Sequence, residues 1–115
     1  MSLTEIKNHI SSLENKLNQQ FAQLNINNNI INKEIKYKDG RYVGQVVNGI
    51  PEGKGIFYWN NGDRYEGDFR NGNKEGKGIY YYNDGDRRMG DYSNDKPNGL
   101  HVILTKNGEV KTENY

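Results

Sequence analysis

The chain is expected to be mostly β: an elongated antiparallel meander of stacked β-hairpins, preceded by one N-terminal amphipathic α-helix. Three observations carry this. An Asx-Gly pair recurs as Asp39-Gly40, Asn61-Gly62, Asp84-Gly85 and Asn107-Gly108, at intervals of 22, 23 and 23 residues. Between the pairs, rings and branched residues alternate with polar ones at period two, the signature of strands. Ahead of them, apolar residues fall at steps of three and four, the signature of a helix.

Taken in order, residues 1–24 hold the helix. Leu3, Ile6, Ile10, Leu13, Leu17 and Leu24 form one stripe in heptad phase, interrupted by Gln20. Ser2 and Glu5 have the spacing of a capping box. Such a stripe needs cover: the chain's own sheet, a partner helix or second copy, or a membrane surface. The membrane surface fits least, because Lys7 and Lys16 are balanced by Glu5 and Glu14 rather than forming a basic face. The asparagine-rich residues 25–32 favour turns and caps over helix, and a linker there lets the helix stand away from the array. Dimerisation or docking through the stripe is therefore expected.

Residues 33–115 form the array, with a half-repeat at 33–39, repeats at 40–61, 62–84 and 85–107, and a terminal half-repeat at 108–115. Asn-Gly and Asp-Gly are the favoured centres of two-residue type I′ turns, so each recurring Asx-Gly pair is expected to be one. Counting from these turns, Tyr42, Val46, Phe57, Trp59, Tyr65, Phe69, Tyr80, Tyr82 and Tyr92 share one face. Gly44, Gly55, Gly67 and Gly78 lie on strands, where glycine weakens a sheet unless something packs against bare backbone. Rings from a neighbouring strand are expected there.

The stretch from Gly72 to Gly78 resembles a phosphate loop at first sight. That loop needs four residues between its first glycine and Gly-Lys, followed by Ser or Thr. Here Gly72 and Gly76 enclose three, and Gly78 follows Lys77. The run also recurs in phase with its neighbours, so its glycines are structural.

Tyr65-Glu66-Gly67-Asp68-Phe69-Arg70-Asn71-Gly72, followed by Gly76-Lys77-Gly78-Ile79-Tyr80-Tyr81-Tyr82-Asn83-Asp84-Gly85, resembles the MORN (membrane occupation and recognition nexus) repeat throughout. The first repeat is similar, with Val46 in place of the second ring. The third departs at Arg88, Asp95 and His101 and reads as a degraded terminal copy. The resemblance spans about residues 33 to 115 and makes Gly44, Gly53, Gly55, Gly67, Gly76, Gly78, Tyr65, Phe69, Tyr80 and Tyr82 structural positions. It implies a twisted, grooved sheet of hairpins. It also implies a scaffold of cytoskeletal, ciliary or membrane-junction assemblies, or a non-catalytic module of a lipid kinase or methyltransferase.

No chemistry is expected. The chain lacks cysteine and holds only His9 and His101, so no zinc set assembles. The recurring carboxylates Asp63, Glu66, Asp68, Asp86 and Asp91 read as a solvated face rather than an acid/base pair. No catalytic residue, metal or cofactor is assigned. A net charge of +1 gives no footprint for nucleic acid. Neither a signal peptide nor a membrane-spanning run is visible, so a cytoplasmic protein is expected. Candidate contact residues on the array are Tyr58 and Tyr81, one step out of phase with the main rings, and the column Arg41, Arg64 and Arg87. Lys54 and Lys77 form a second column, read as paired with nearby carboxylates. Protein partners are expected, with acidic membrane lipid as the alternative.

Overall fold

The computed structural model describes residues 2–26 and 31–115; for residues 21–26 the backbone path alone is described. One helix, α1 (Leu3–Ile26), precedes eight strands: β1 (Asn32–Lys36), β2 (Gly40–Val47), β3 (Ile50–Trp59), β4 (Arg64–Arg70), β5 (Asn73–Tyr81), β6 (Arg87–Ser93), β7 (Lys96–Leu104) and β8 (Val110–Asn114). The strands form a single open antiparallel sheet in chain order. The Ser2 hydroxyl accepts from the Glu5 backbone N–H at 3.1 Å and caps the helix start. The expected linker falls largely on residues 27–30, which lie outside the described residues.

The sheet has two unlike faces. On the front face, Tyr42, Val46, Tyr65, Phe69 and Tyr92 form a buried cluster, with Ile35, Phe57, Trp59 and Tyr80 packed against it. Along this face Gly44, Gly55, Gly67, Gly78 and Gly90 stand opposite one another in register and make a furrow across five strands. The Tyr42 ring lies on Gly55, and the Tyr65 ring lies on Gly78. A side chain at either glycine would occupy the ring's own space. Each hydroxyl then closes on its own strand: Tyr42 donates to the Gln45 carbonyl at 2.6 Å and Tyr65 to the Asp68 carbonyl at 3.0 Å. Gly53 and Gly76 stand opposite Phe69 and Tyr92 on the following strand. These tyrosine–glycine pairs account for burial of large rings in a sheet that, among the described residues, has no second layer in front of it.

The turn assignment needs correction. The two-residue turns lie at Asn48-Gly49, Asn71-Gly72 and Asn94-Asp95, where both central residues have positive φ. The Asx-Gly pairs that set the sequence phase are built differently. At Asn61-Gly62 only the glycine has positive φ; Gly62 N–H donates to the Trp59 carbonyl at 3.1 Å, and Trp59 N–H to the Asp63 carbonyl at 2.9 Å. The same pair of bonds recurs around Gly85 and Gly108. This is a type I turn closed by a glycine bulge. Gly40 is already strand.

The helix does not stand away from the array, as the expectation of a free stripe required. It lies across the back face, with Ile10 only 1% exposed and Leu13 and Leu17 half-buried. Leu3 remains 46% exposed, and Gln20 is exposed at the rim of the cleft between helix and sheet. The Leu24 side chain lies outside the described residues. The back face offers Ile79, Met89 and Val102 to Leu13 and Leu17 across a cleft of about 630 Å3. This face is therefore partly covered by the helix rather than solvated throughout.

Candidate functional site

Two surfaces carry the candidate residues. The front face presents two files of rings. One runs Tyr37, Phe57, Trp59, Tyr80, Tyr82, with neighbouring centroids 4.7 to 5.8 Å apart. The other runs from Tyr42 through Phe69, Tyr65, Tyr92 and His101 to Tyr115, each contact edge-on at 4.9 to 5.3 Å. Edge-on packing sets the positive rim of one ring against the negative face of the next. The first file is half-buried apart from the exposed Tyr37, and the second is buried apart from the exposed Tyr115.

Between the files lies Lys74. Its Nζ is 5.4 Å from the ring centroids of Trp59 and Tyr92, and 5.8 Å from those of Tyr65 and Tyr80. Its side chain is 16% exposed, and Asp95 approaches the ammonium at 3.7 Å. The pattern gave a signal for this residue: Lys74 stands where the neighbouring repeats have Pro51 and Pro97.

The back face carries the arginine column, and here the register is informative. Arg41, Tyr58, Arg64, Tyr81 and Arg87 stand directly opposite one another on five successive strands. The three arginines and two tyrosines, expected as separate candidates, form one alternating row. Arg41 stacks over Tyr58 at 4.1 Å and Arg64 over Tyr81 at 3.8 Å. Tyr58 and Tyr81 do face away from the main rings, but they cover no glycine, since the glycine furrow is in front.

The helix closes one end of this row. Glu14 accepts from the Tyr81 hydroxyl through Oε2 and from Arg87 Nη1 through Oε1, both at 2.6 Å. Burial, reinforced by the Glu14 bond, pushes the Tyr81 hydroxyl well above the usual tyrosine range, so it stays a donor. Glu14 was seen in the sequence only as a charge balancing the lysines; its role depends on where the helix lies.

Two carboxylates assigned to solvent are buried. Glu66 accepts from Arg64 Nε at 3.1 Å within the row. Asp63 accepts from the Tyr80 hydroxyl at 2.8 Å and the Asn83 backbone N–H at 2.7 Å. Both are consumed by structure. Lys54 pairs with Asp68 and Lys77 approaches Asp91 at 4.0 Å, each across a strand pair. Among the described residues, no group of three His, Asp or Glu side chains is placed to hold a metal ion. No described helix is long and apolar enough to cross a membrane.

The MORN repeat family model matches residues 42–64, 65–87 and 89–100. Among curated proteins, none matches the chain significantly. The matched segments span the tyrosine–glycine pairs, the glycine furrow and β2 through most of β7, and together they cover half of the chain: the protein belongs to the MORN repeat family.

Proposed function

We propose that the chain is a non-catalytic scaffold that holds protein partners, with the front ring face as its principal contact surface. The observation supporting this reading is the file Tyr37, Phe57, Trp59, Tyr80 and Tyr82, a contiguous half-exposed aromatic strip with no described element laid over it. Aromatic residues concentrate binding energy at interfaces, and contiguous apolar strips on a surface mark contact sites. A cytoskeletal or ciliary assembly is the setting that fits an elongated repeat array.

Photo-crosslinking tests this reading. A benzophenone side chain placed at Tyr37 or Tyr82 should give discrete protein adducts in cells of the native host, and Trp59→Ala should abolish them. A tagged chain should fractionate with insoluble cytoskeleton. A diffuse chain without adducts at either position ends the scaffold reading.

The row Arg41, Arg64 and Arg87 favours a second reading, association with acidic lipid. Glu14 and Glu66 sit within that row and offset its charge. Flotation with phosphatidylserine vesicles separates the two readings, because the scaffold reading expects the chain to remain in the unbound fraction.

A further inference from the structure

We infer that the back-face row from Arg41 to Arg87 is a binding site for an acidic amphipathic helix of a partner protein, and that α1 occupies one end of it as an internal stand-in. This deepens the scaffold reading by giving its second face a partner chemistry, and rests on it only in taking the occupant to be protein.

The row already binds carboxylates twice within the chain. Glu14 is gripped at two points, by a phenol and by a guanidinium. Charge-assisted bonds of this kind are short and strong, and arginine's planar fork suits them. The grip is a repeat property, not an accident of one position. Tyr81 and Arg87 stand opposite each other across β5 and β6, and Tyr58 and Arg64 stand opposite each other across β3 and β4, one repeat earlier. There the strand's own Glu66 takes Arg64 Nε. The third repeat has Met89 at that phase and so provides no carboxylate of its own; the helix supplies Glu14 instead.

Among the described residues, nothing covers the other end of the row. Arg41 is 46% exposed at its side chain, and the carboxylate that approaches it, Glu34, stands 4.0 Å away and is itself half exposed. Val43 occupies the Glu66 phase in that repeat, so no carboxylate lies beside Arg41 on its own strand. Among the described residues, the Tyr58 hydroxyl makes no hydrogen bond to the helix.

The form of the occupant follows from α1. Ile10 and Leu13 go down onto the sheet on the same helix face as Glu14, so the row accepts a helix that presents apolar residues beside a carboxylate. Successive grips are two strands apart, about 9.6 Å. That is close to seven residues of helix at about 1.5 Å each. A partner helix with acidic residues seven apart beside a leucine stripe brings successive carboxylates to successive arginines of the row, Arg41, Arg64 and Arg87, each two strands from the next. Glu14→Ala releases the grip, and adding Ile10→Asp lifts the stand-in helix as a whole.

Fluorescence anisotropy on the full chain tests this. The probe is a labelled synthetic peptide with a leucine stripe and glutamates seven residues apart; its control carries glutamine at those positions. The native chain should bind the glutamate peptide weakly. Glu14→Ala, or Ile10→Asp with Glu14→Ala, should bind it about tenfold more tightly, since an internal competitor lowers apparent affinity by the fraction of sites it holds. In either background, Arg64→Gln should weaken binding about tenfold while circular dichroism stays that of the parent. Equal binding of the two peptides overturns the proposal, as does unchanged affinity in both helix variants. So does the third outcome, in which the released chain floats with phosphatidylserine vesicles and ignores the peptide: the row then reads lipid. Adducts at Tyr82 on the front face persist under all of these outcomes if the scaffold reading itself is sound.

Discussion

His101 lies on Gly90, and its Nε2 donates to the Asp91 carbonyl at 2.7 Å. In the first two repeats a tyrosine of the leading strand covers a glycine of the following one, and its hydroxyl bonds the carbonyl at the Gln45 or Asp68 phase. Asp91 has that same phase. In the third repeat the ring comes from the following strand and covers the leading strand's glycine. Arg88, where the tyrosine would be, turns instead to the hydroxyls of Tyr82 and Tyr115 and to Glu113. The two departures from the motif form a reciprocal exchange that keeps the ring, the glycine and the hydrogen bond.

The exchange predicts strong coupling between positions 88 and 101. His101→Gly alone should cost about 2–3 kcal/mol, as a cavity left in a packed site. Arg88→Tyr alone should cost about 1–3 kcal/mol, because its ring is aimed at space already filled. The double variant rebuilds the motif and should recover at least about 1 kcal/mol of the summed loss. Urea unfolding of all four proteins measures this, and strict additivity would show the two sites to be independent.

Gly67→Val should be far more damaging than Asp68→Asn. A Cβ at Gly67 would lie 2.5 Å from the Lys77 carbonyl oxygen and 2.7 Å from the Gly78 Cα. Those are backbone atoms that cannot rotate aside, so a cost of about 3 kcal/mol or more is expected. Asp68 contributes one partly exposed ion pair with Lys54, worth ~0–1 kcal/mol. Comparable melting temperatures for the two variants would contradict the close packing across the furrow.

The position of the helix makes unequal demands on its stripe. Ile10→Ala should cost about 2–4 kcal/mol, the range for a buried aliphatic side chain. Leu3→Ala, at an exposed site, should stay within ~0.5 kcal/mol. If both are silent, the helix is not docked in solution.

Lys74 supplies an optical test, because Trp59 is the chain's single tryptophan. Lys74→Ala removes a cation held 5.4 Å from that ring and opens the space among four aromatic residues. The emission maximum of Trp59 should move, and stability should fall by ~1–2 kcal/mol from lost cation–π and stem packing. An unchanged spectrum would mean that the lysine points to solvent.

Alkali should unfold the protein cooperatively. Burial raises the hydroxyls of Tyr42, Tyr65 and Tyr92 far above the ordinary value of 10.0. The folded chain holds these protons more tightly than the unfolded chain. The stability they confer is therefore intact below pH 10 and falls as the pH climbs beyond it toward their raised values. Tyrosinate absorbance should rise together with loss of β-sheet circular dichroism. Smooth titration of every tyrosine near pH 10 with the sheet intact would rule out the buried front cluster.

The repeat, the ring face and the ring-on-glycine packing were legible because each depends on residues at short, fixed offsets. Two things were not. Turn pairs led by Asn or Asp recur with the same period in both turn classes, so spacing alone could not say which was the two-residue turn. What decides it is local: the Asn61 side chain accepts from Asp63 N–H at 2.9 Å and the Trp59 amide pairs with the Asp63 carbonyl, which stabilises the longer loop. The resting place of the helix depends on contacts far along the chain, Glu14 with Tyr81 and Arg87, which no helical periodicity reports. One signal was available: Val43, Ile56, Ile79, Met89 and Val102 stand in the same row as Glu66, on the face that the recurring carboxylates mark as solvated.

The strands pair only with their neighbours in the chain, and a stack built that way unfolds as a one-dimensional lattice, fraying inward from whichever end is weaker. The helix adds a different kind of term. Lys7 lies beside Gly108 in the β7–β8 turn, Glu14 ties β5 and β6, and Gln20 shares the cleft with Lys54 on β3. One rigid element thus spans strands that have no hydrogen bond in common. Loosening at β7 withdraws cover from the helix and is felt at β3, so cooperativity along the stack comes from the one segment that is not part of the repeat.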